Sequence, residues 1–263
     1  MLQAQKIVAN TVLLADLVQL TNDAGKVILD IYHSDDFGIE NKADASPVTA
    51  ADLAAHHFLM DGLKRLTPHI PVVSEEDADS LTIPHYNACY WLIDPLDGTK
   101  EFISKNGEFT VNLALIENKK PSFGLVGVPV ANAVYWGGNT LDAFKQIQTK
   151  VSIPSLINCS DTQNPLRVLA SKSHLNNATK ELIESLGPVT LIQAGSSLKF
   201  IRIAEGLADY YPRLAPTCEW DTAAAQAVLE GAGGSVTQAN GEAMQYGKTG
   251  ILNPHFIARG KVN

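Results

Sequence analysis

The segment WLIDPLDGTKEF, residues 91–102, decides how the rest of the chain is read. An apolar run, residues 90–93, delivers two aspartates, Asp94 and Asp97, into a turn that Pro95 stiffens and Gly98 opens. Carboxylates three residues apart in a rigid turn repel each other unless positive charge lies between them, so the segment calls for a cation. An Asx-type turn after a buried strand is the plainer account, and the segment alone leaves both open.

Upstream of it, a helix is predicted over residues 8–32, where Leu14, Leu17, Val18, Ala24, Ile28 and Ile31 recur with an amphipathic period. Residues 35–47, with Gly38, Lys42 and Asp44, read as a polar turn or hairpin. A second helix opens at Thr49 and stops before Pro68, and about 100° per residue puts Asp52 at the margin of its buried stripe. Thr49 and Asp52 also form a capping-box-like pair, which would account for both. A short strand over residues 71–73 then runs into Glu75, Glu76 and Asp77, the last read as part of a solvated loop.

Downstream, strands predicted over 110–116, 122–128, 133–136 and 143–147 have the short polar links of an antiparallel meander. After a polar stretch at 154–165 the pattern changes to α/β. Strands 167–170, 189–193 and 208–211 alternate with helices 177–186, 196–206 and 222–231. Asp221 reads as the N-cap of the last helix, and Gly233 with Gly234 as its stop. This division gives an N-terminal α+β part, 1–158, expected to carry the metal site, and a C-terminal α/β part, 159–263, expected to recognise substrate.

Lys plus Arg is 20 against 28 Asp plus Glu, a formal net charge of −8. A nucleic-acid binder needs the opposite balance, although bound metal ions would let an acidic protein take a polyanionic small molecule. Cys89, Cys159 and Cys218 are scattered without ligand spacing and fit reduced thiols. No stretch approaches the roughly 18 apolar residues of a membrane span, and the N-terminus lacks the features of a signal peptide. A cytoplasmic protein is therefore expected. Peripheral contact with the cytoplasmic face of the inner membrane is compatible with these arguments, as is either a monomer or a homodimer.

Glu75, Asp94 and Asp97 follow strands, and Asp52 and Asp221 lie near helix starts, where α/β proteins gather ligands. Glu75 with Glu76, the DPLDGT segment 94–99 and the WDTAAAQAVLEGAGG segment 220–234 resemble three signatures of the inositol monophosphatase-like, lithium-sensitive, magnesium-dependent phosphatases. Order and separations match over nearly the whole chain. Within that superfamily, DGTKEF followed by NGEFTVNLAL is similar to the bacterial 3'(2'),5'-bisphosphate nucleotidases; inositol monophosphatases usually carry Asn where this chain has Glu101. The resemblance implies an α/β protein built as a layered α-β-α-β-α sandwich. It also implies hydrolysis of 3'-phosphoadenosine 5'-phosphate to AMP and phosphate, with the sulfated analogue as a second substrate, in sulfur metabolism.

Carried over by position, the resemblance implies that Glu75, Asp94 and the Leu96 carbonyl hold a first Mg2+. Asp94 would bridge to a second ion completed by Asp97 and Asp221. Asp52 would serve a third, weaker ion or, with Thr99, the relay to the nucleophilic water, so that Asp52, Thr99 and Glu75 form the catalytic set. The amides of Gly98 and Thr99 would receive the phosphate, and Glu76 would tune the site. Segment 170–174, ASKSH, resembles a nucleotide-contacting stretch. Ser171, Ser173, His174, Ser196, Ser197, Lys199 and Arg213 are accordingly candidates for substrate binding, with helix caps and solvated faces as competing explanations. Hard carboxylate oxygens suit Mg2+, and no His/Cys cluster points to zinc. No Ser, Cys or His stands out as an activated nucleophile, so metal-activated water is expected. An inositol monophosphatase, a fructose 1,6-bisphosphatase and a non-catalytic nucleotide or metal sensor remain alternatives.

Overall fold

The computed structural model describes residues 2–34, 37–38, 40–41, 47–85, 88–149, 152–171 and 176–261. The chain enters through α1 (Gln3–Ala9) and α2 (Thr11–Tyr32). The helix expected over 8–32 is α2, which starts at Thr11 because the Asn10 side chain accepts a hydrogen bond from the Leu13 amide as its N-cap; α1 before it was not expected. The paired β1 (Glu40–Asn41) and β2 (Pro47–Val48) follow; Lys42 and Asp44 lie outside the described residues. Next comes α3 (Ala50–Leu66), which opens in the expected capping box of Thr49 and Asp52.

Strand β3 (Val72–Ser74) pairs in parallel with β4 (Cys89–Asp97). The short α4 (Thr99–Ile103) leads to β5 (Thr110–Glu117), β6 (Lys120–Val128), β7 (Ala133–Gly138), β8 (Leu141–Ile147) and β9 (Ser155–Ile157). From β4 onward these form the expected antiparallel meander, and β3 to β9 make one seven-stranded sheet in chain order. The remaining elements are β10 (Leu166–Ser171), α5 (Asn177–Ser185), β11 (Val189–Ala194), α6 (Leu198–Ala204), β12 (Tyr210–Arg213), α7 (Ala223–Gly231), β13 (Ser235–Gln238) and β14 (Phe256–Arg259). Their strands form a second sheet in the order β11-β10-β12-β14-β13.

The period of two along β4 sorts the core. Trp91 and Ile93 join Leu113 and Leu125 of the same sheet and Leu17, Ile28, Leu59 and Leu63 of α2 and α3 in one cluster. Tyr90 and Leu92, on the opposite face, join Phe200 of α6, Val228 of α7, and Leu169, Tyr211 and Phe256 of the second sheet. The far face of that second sheet, Val168, Ala170 and Ile257, meets Ile183 of α5. The layers are therefore α2/α3, the seven-stranded sheet, α6/α7, the five-stranded sheet and α5. Both faces of the first sheet are covered, which is why its central strands are apolar almost without alternation.

The sheets divide between β9 and β10, yet α7, from the second half of the chain, lies on the first sheet. Its backbone comes so close that a Cβ at Gly124 of β6 would sit 2.2 Å from the Ala224 carbonyl oxygen. At its far end α7 closes in a Schellman turn, with the Gly234 amide on the Leu229 carbonyl at 3.0 Å and the Gly233 amide on the Glu230 carbonyl at 3.1 Å. Among the described residues no helix is long and apolar enough to cross a membrane.

The Gly124 contact is backbone against backbone, so no side chain can yield. Gly124→Ala should cost about 3 kcal/mol and lower Tm by on the order of 10 °C in calorimetry. An unchanged Tm would show that α7 retreats from the sheet without penalty.

Candidate active site

Strand β4 does not stop at the turn expected around Pro95. Asp94 lies opposite Asn112 and Asp97 opposite Thr110, so three steps on β4 match two on β5, which is a bulge. Pairing with β3 has ended at Ile93, opposite Ser74, so Pro95 withholds no amide that the ladder requires. The bulge brings Asp94, Leu96 and Asp97 to the wall of one cleft of about 270 Å³. The chain turns only at Gly98, where φ is +94° and a Cβ would lie 3.1 Å from the Glu108 carbonyl oxygen. A residue with a side chain would be strained there, and glycine lets β4 leave directly into α4.

Glu75, just past the end of β3, Asp94, and Asp221, two residues before α7, present carboxylate oxygens that all lie within 4.8 Å of one another. Burial, and then the charges of Glu75, Asp97 and Asp221, hold the Asp94 carboxyl well above the usual carboxylate range. Asp221 is raised in the same way, by burial first and then by Asp97 and Glu75. Asp97 is raised by burial against the opposing pull of the Lys199 ammonium and the Ser197 amide. Acids so placed ionise together only when a cation offsets their charge, and a partly buried set of hard oxygen donors suits Mg2+.

Asp52 closes the capping box and also reaches Thr99. Its Oδ2 accepts from the Thr49 amide at 2.7 Å and the Thr49 hydroxyl at 2.6 Å, closing the capping box, while its Oδ1 accepts from the Thr99 hydroxyl at 3.2 Å. Asp221 is not the N-cap of α7, which is Thr222; Asp221 Oδ2 instead accepts from the Cys218 amide at 2.8 Å, bracing the preceding turn. Asp77 accepts from the Asp79 amide and starts a 3-10 turn over Ala78–His85. Glu76 is half-buried and lies outside the cleft lining.

Gly98 and Thr99 line the cleft ahead of the first bond of α4, from the Phe102 amide to the Gly98 carbonyl at 2.8 Å. Ser171, Ser196, Lys199 and Arg213 line it from the second half of the chain. Lys199 is not on a solvated face. It is 4% exposed, with its ammonium donating to the Ser196 and Ala194 carbonyls at 2.6 and 3.3 Å, and burial brings its pKa down to about 8. Arg213 is steadied by the Ala215 and Pro216 carbonyls at 3.2 and 3.0 Å. Ser197 departs from expectation: it lies outside the cleft lining, and its amide and hydroxyl are engaged by Asp97, Asn112 and Thr110. Ser173 and His174 lie outside the described residues.

The sequence reading missed Thr110 and Asn112, fully buried polar residues in an otherwise apolar strand, and the wall of Phe200, Tyr211 and Phe256. Polar side chains in a run such as TVNLALIE were the available signal, since a buried polar group needs a partner.

The carboxylates thus line one cleft between the two sheets of a layered α/β sandwich. The chain belongs to the inositol monophosphatase family, whose model matches residues 10–261. It is 44% identical over 246 residues to the 3'(2'),5'-bisphosphate nucleotidase CysQ of Shigella flexneri, covering 93% of this chain and 98% of that one. CysQ of Escherichia coli K12 matches at the same identity and coverage. The crystal structure of CysQ from Bacteroides thetaiotaomicron superposes with a TM-score of 0.84 at 38% identity, covering 96% of this chain and 98% of that one.

The raised acids bind protons more tightly in the folded than in the unfolded chain. Their contribution to stability is present at low pH and is lost as pH rises from the ordinary carboxylate range through the folded values. In EDTA, thermal melts should therefore show Tm falling as pH rises above about 4, with added Mg2+ reversing the fall. Asp94→Asn should melt no lower than the parent in EDTA at neutral pH, yet lose more than about 100-fold in activity. A Tm that ignores Mg2+ would mean that the cluster does not take the ion.

Proposed function

We propose that the chain is a 3'(2'),5'-bisphosphate nucleotidase that hydrolyses 3'-phosphoadenosine 5'-phosphate to AMP and phosphate with Mg2+, and the sulfated analogue to adenylyl sulfate. The observation that carries this reading is that one cleft combines the acids with three cations, Lys100, Lys199 and Arg213, of which Lys199 and Arg213 act electrostatically on Asp97 and Asp221. A substrate with a second phosphate has a use for those cations; an inositol monophosphate has not. The curated relatives named above carry the same activity in their names.

In this reading Glu75, Asp94 and the Leu96 carbonyl hold one Mg2+, Asp94, Asp97 and Asp221 a second, and a third is weaker. When bound, Mg2+ makes a hydroxide nucleophile available near neutral pH and offsets charge on the leaving oxygen. Asp52, pinned by Thr49, orients the Thr99 hydroxyl so that its oxygen accepts from the attacking water. The Gly98 and Thr99 amides take a phosphate oxygen, as backbone donors at the start of a helix do. Ser171 and Ser196, with Ser173 and His174, contact the nucleotide, while Lys199 and Arg213 hold its other phosphate. Residues 1–158 thus supply most of the metal site and 159–263 most of the substrate selection, with Asp221 reaching back across. We place the protein in the cytoplasm, where such nucleotides arise.

Turnover of 3'-phosphoadenosine 5'-phosphate, inositol 1-phosphate and fructose 1,6-bisphosphate with Mg2+ should favour the first; preference for either of the others would defeat the assignment. Arg213→Gln should raise KM for the bisphosphate by about 50-fold, the loss of a charge-assisted bond, and change turnover of a monophosphate far less. Equal losses on both substrates would remove Arg213 from the second phosphate.

A further inference from the structure

The turn joining β11 to α6 crosses from the second sheet to the first, and what it meets is Asp97. The Ser197 amide donates to Asp97 Oδ2 at 2.5 Å. The Ser197 hydroxyl lies 2.9 Å from Asn112 Oδ1 and 2.8 Å from Thr110 Oγ1. Asn112 Nδ2 and Thr110 Oγ1 in turn reach Asp97 Oδ2 at 3.5 and 3.4 Å. The Ser197 amide, Asn112 Nδ2 and Thr110 Oγ1 converge on one oxygen of Asp97, which leaves its Oδ1 as the one available to the cleft. Thr110, Asn112 and Ser197 are all at most 1% exposed, so water does not compete for these bonds.

The turn is held on its own side as well. Ser196 has φ +43°, an uncommon value for a residue with a side chain. The Lys199 ammonium grips the Ser196 carbonyl at 2.6 Å, and Glu108 accepts the Gly195 amide at 2.9 Å.

We propose that Ser197 is a positioning residue for Asp97, setting the carboxylate plane so that Oδ1 meets the metal. The terminal torsion of an aspartate is soft, so a carboxylate held at neither oxygen swings. The hydroxyl also sets the Asn112 amide: by donating to Oδ1 it keeps Nδ2 toward Asp97. Without it Asn112 is free to flip and present its own carbonyl oxygen to the carboxylate. Groups that orient metal ligands in this way govern metal affinity. The inference rests on Asp97 being a metal ligand, so its test separates the two ideas.

Mg2+ binding is measured by titration calorimetry on the substrate-free full chain for the parent, Ser197→Ala, Asp97→Asn and the double variant, with melts in EDTA to verify folding. Ser197→Ala should weaken Mg2+ by about 10-fold and lower kcat/KM at limiting but much less at saturating Mg2+. In the Asp97→Asn background the same change should add nothing. Asn112→Ala, which removes the network from its other side, should reproduce the weakening and serves if Ser197→Ala does not fold. An unmoved Mg2+ affinity in Ser197→Ala, or an equal loss in both backgrounds, overturns the positioning role while Asp97→Asn still weakens the ion. Undiminished affinity in Asp97→Asn overturns the ligand assignment itself.

Discussion

Like-charge repulsion among buried acids is the constraint on which the rest of the structure depends. Asp94 is 1% exposed and feels Glu75, Asp97, Asp221 and Asp52 together, each opposing its ionisation. A loose chain would relieve this by moving the acids apart. Here four of the five are tethered by a hydrogen-bond donor: the Leu96 amide on Asp94 at 3.1 Å, the Ser197 amide on Asp97, the Cys218 amide on Asp221 and the Thr49 amide on Asp52. All four tethers are amides in turns, bulges or at helix starts, where the backbone donor is not consumed by a ladder. The acids stand at ends of elements for that reason.

Holding charges against each other takes a stiff frame, and the five layers supply it. Trp91, Ile93 and their neighbours bury one face of the first sheet under α2 and α3, while Tyr90 and Leu92 bury the other under α6 and α7. Because α7 packs on the first sheet by backbone contact at Gly124, Asp221 arrives at the cleft from the second half of the chain without a flexible link. Two of the three cleft cations come from the second half too, Lys199 on α6 and Arg213 at the end of β12, while Lys100 stands on α4. Lys199 and Arg213 therefore meet the first-half acids where the two sheets face each other.

Much of this was legible locally. The capping box at Thr49, the glycine stop of α7 and the apolar strands of the first sheet each follow from interactions within a few residues, which a linear pattern records. The bulge at Pro95 was not legible, since DPLDG reads equally as a turn; it continues as strand because β5 offers Asn112 and Thr110 as partners. Lys199 was indistinguishable from a solvated lysine until the Ser196 and Ala194 carbonyls were in place to receive its ammonium. Ser197, at the start of a predicted helix, was a candidate for substrate contact or a helix cap; its partners are some 85 to 100 residues away along the chain.

The sequence by itself determined the kind of chemistry. Acids after strands and before helices call for a cation, because residue type is enough to specify hard oxygen donors, and the resemblance of the three signatures supplies the phosphatase. Only the tertiary structure decided which oxygen of each acid is tethered, which serines stand behind the site instead of in it, and that a buried lysine faces the cleft. Those facts depend on contacts between residues distant in the chain, where distance and burial govern charge and hydrogen bonding, and no local pattern encodes them.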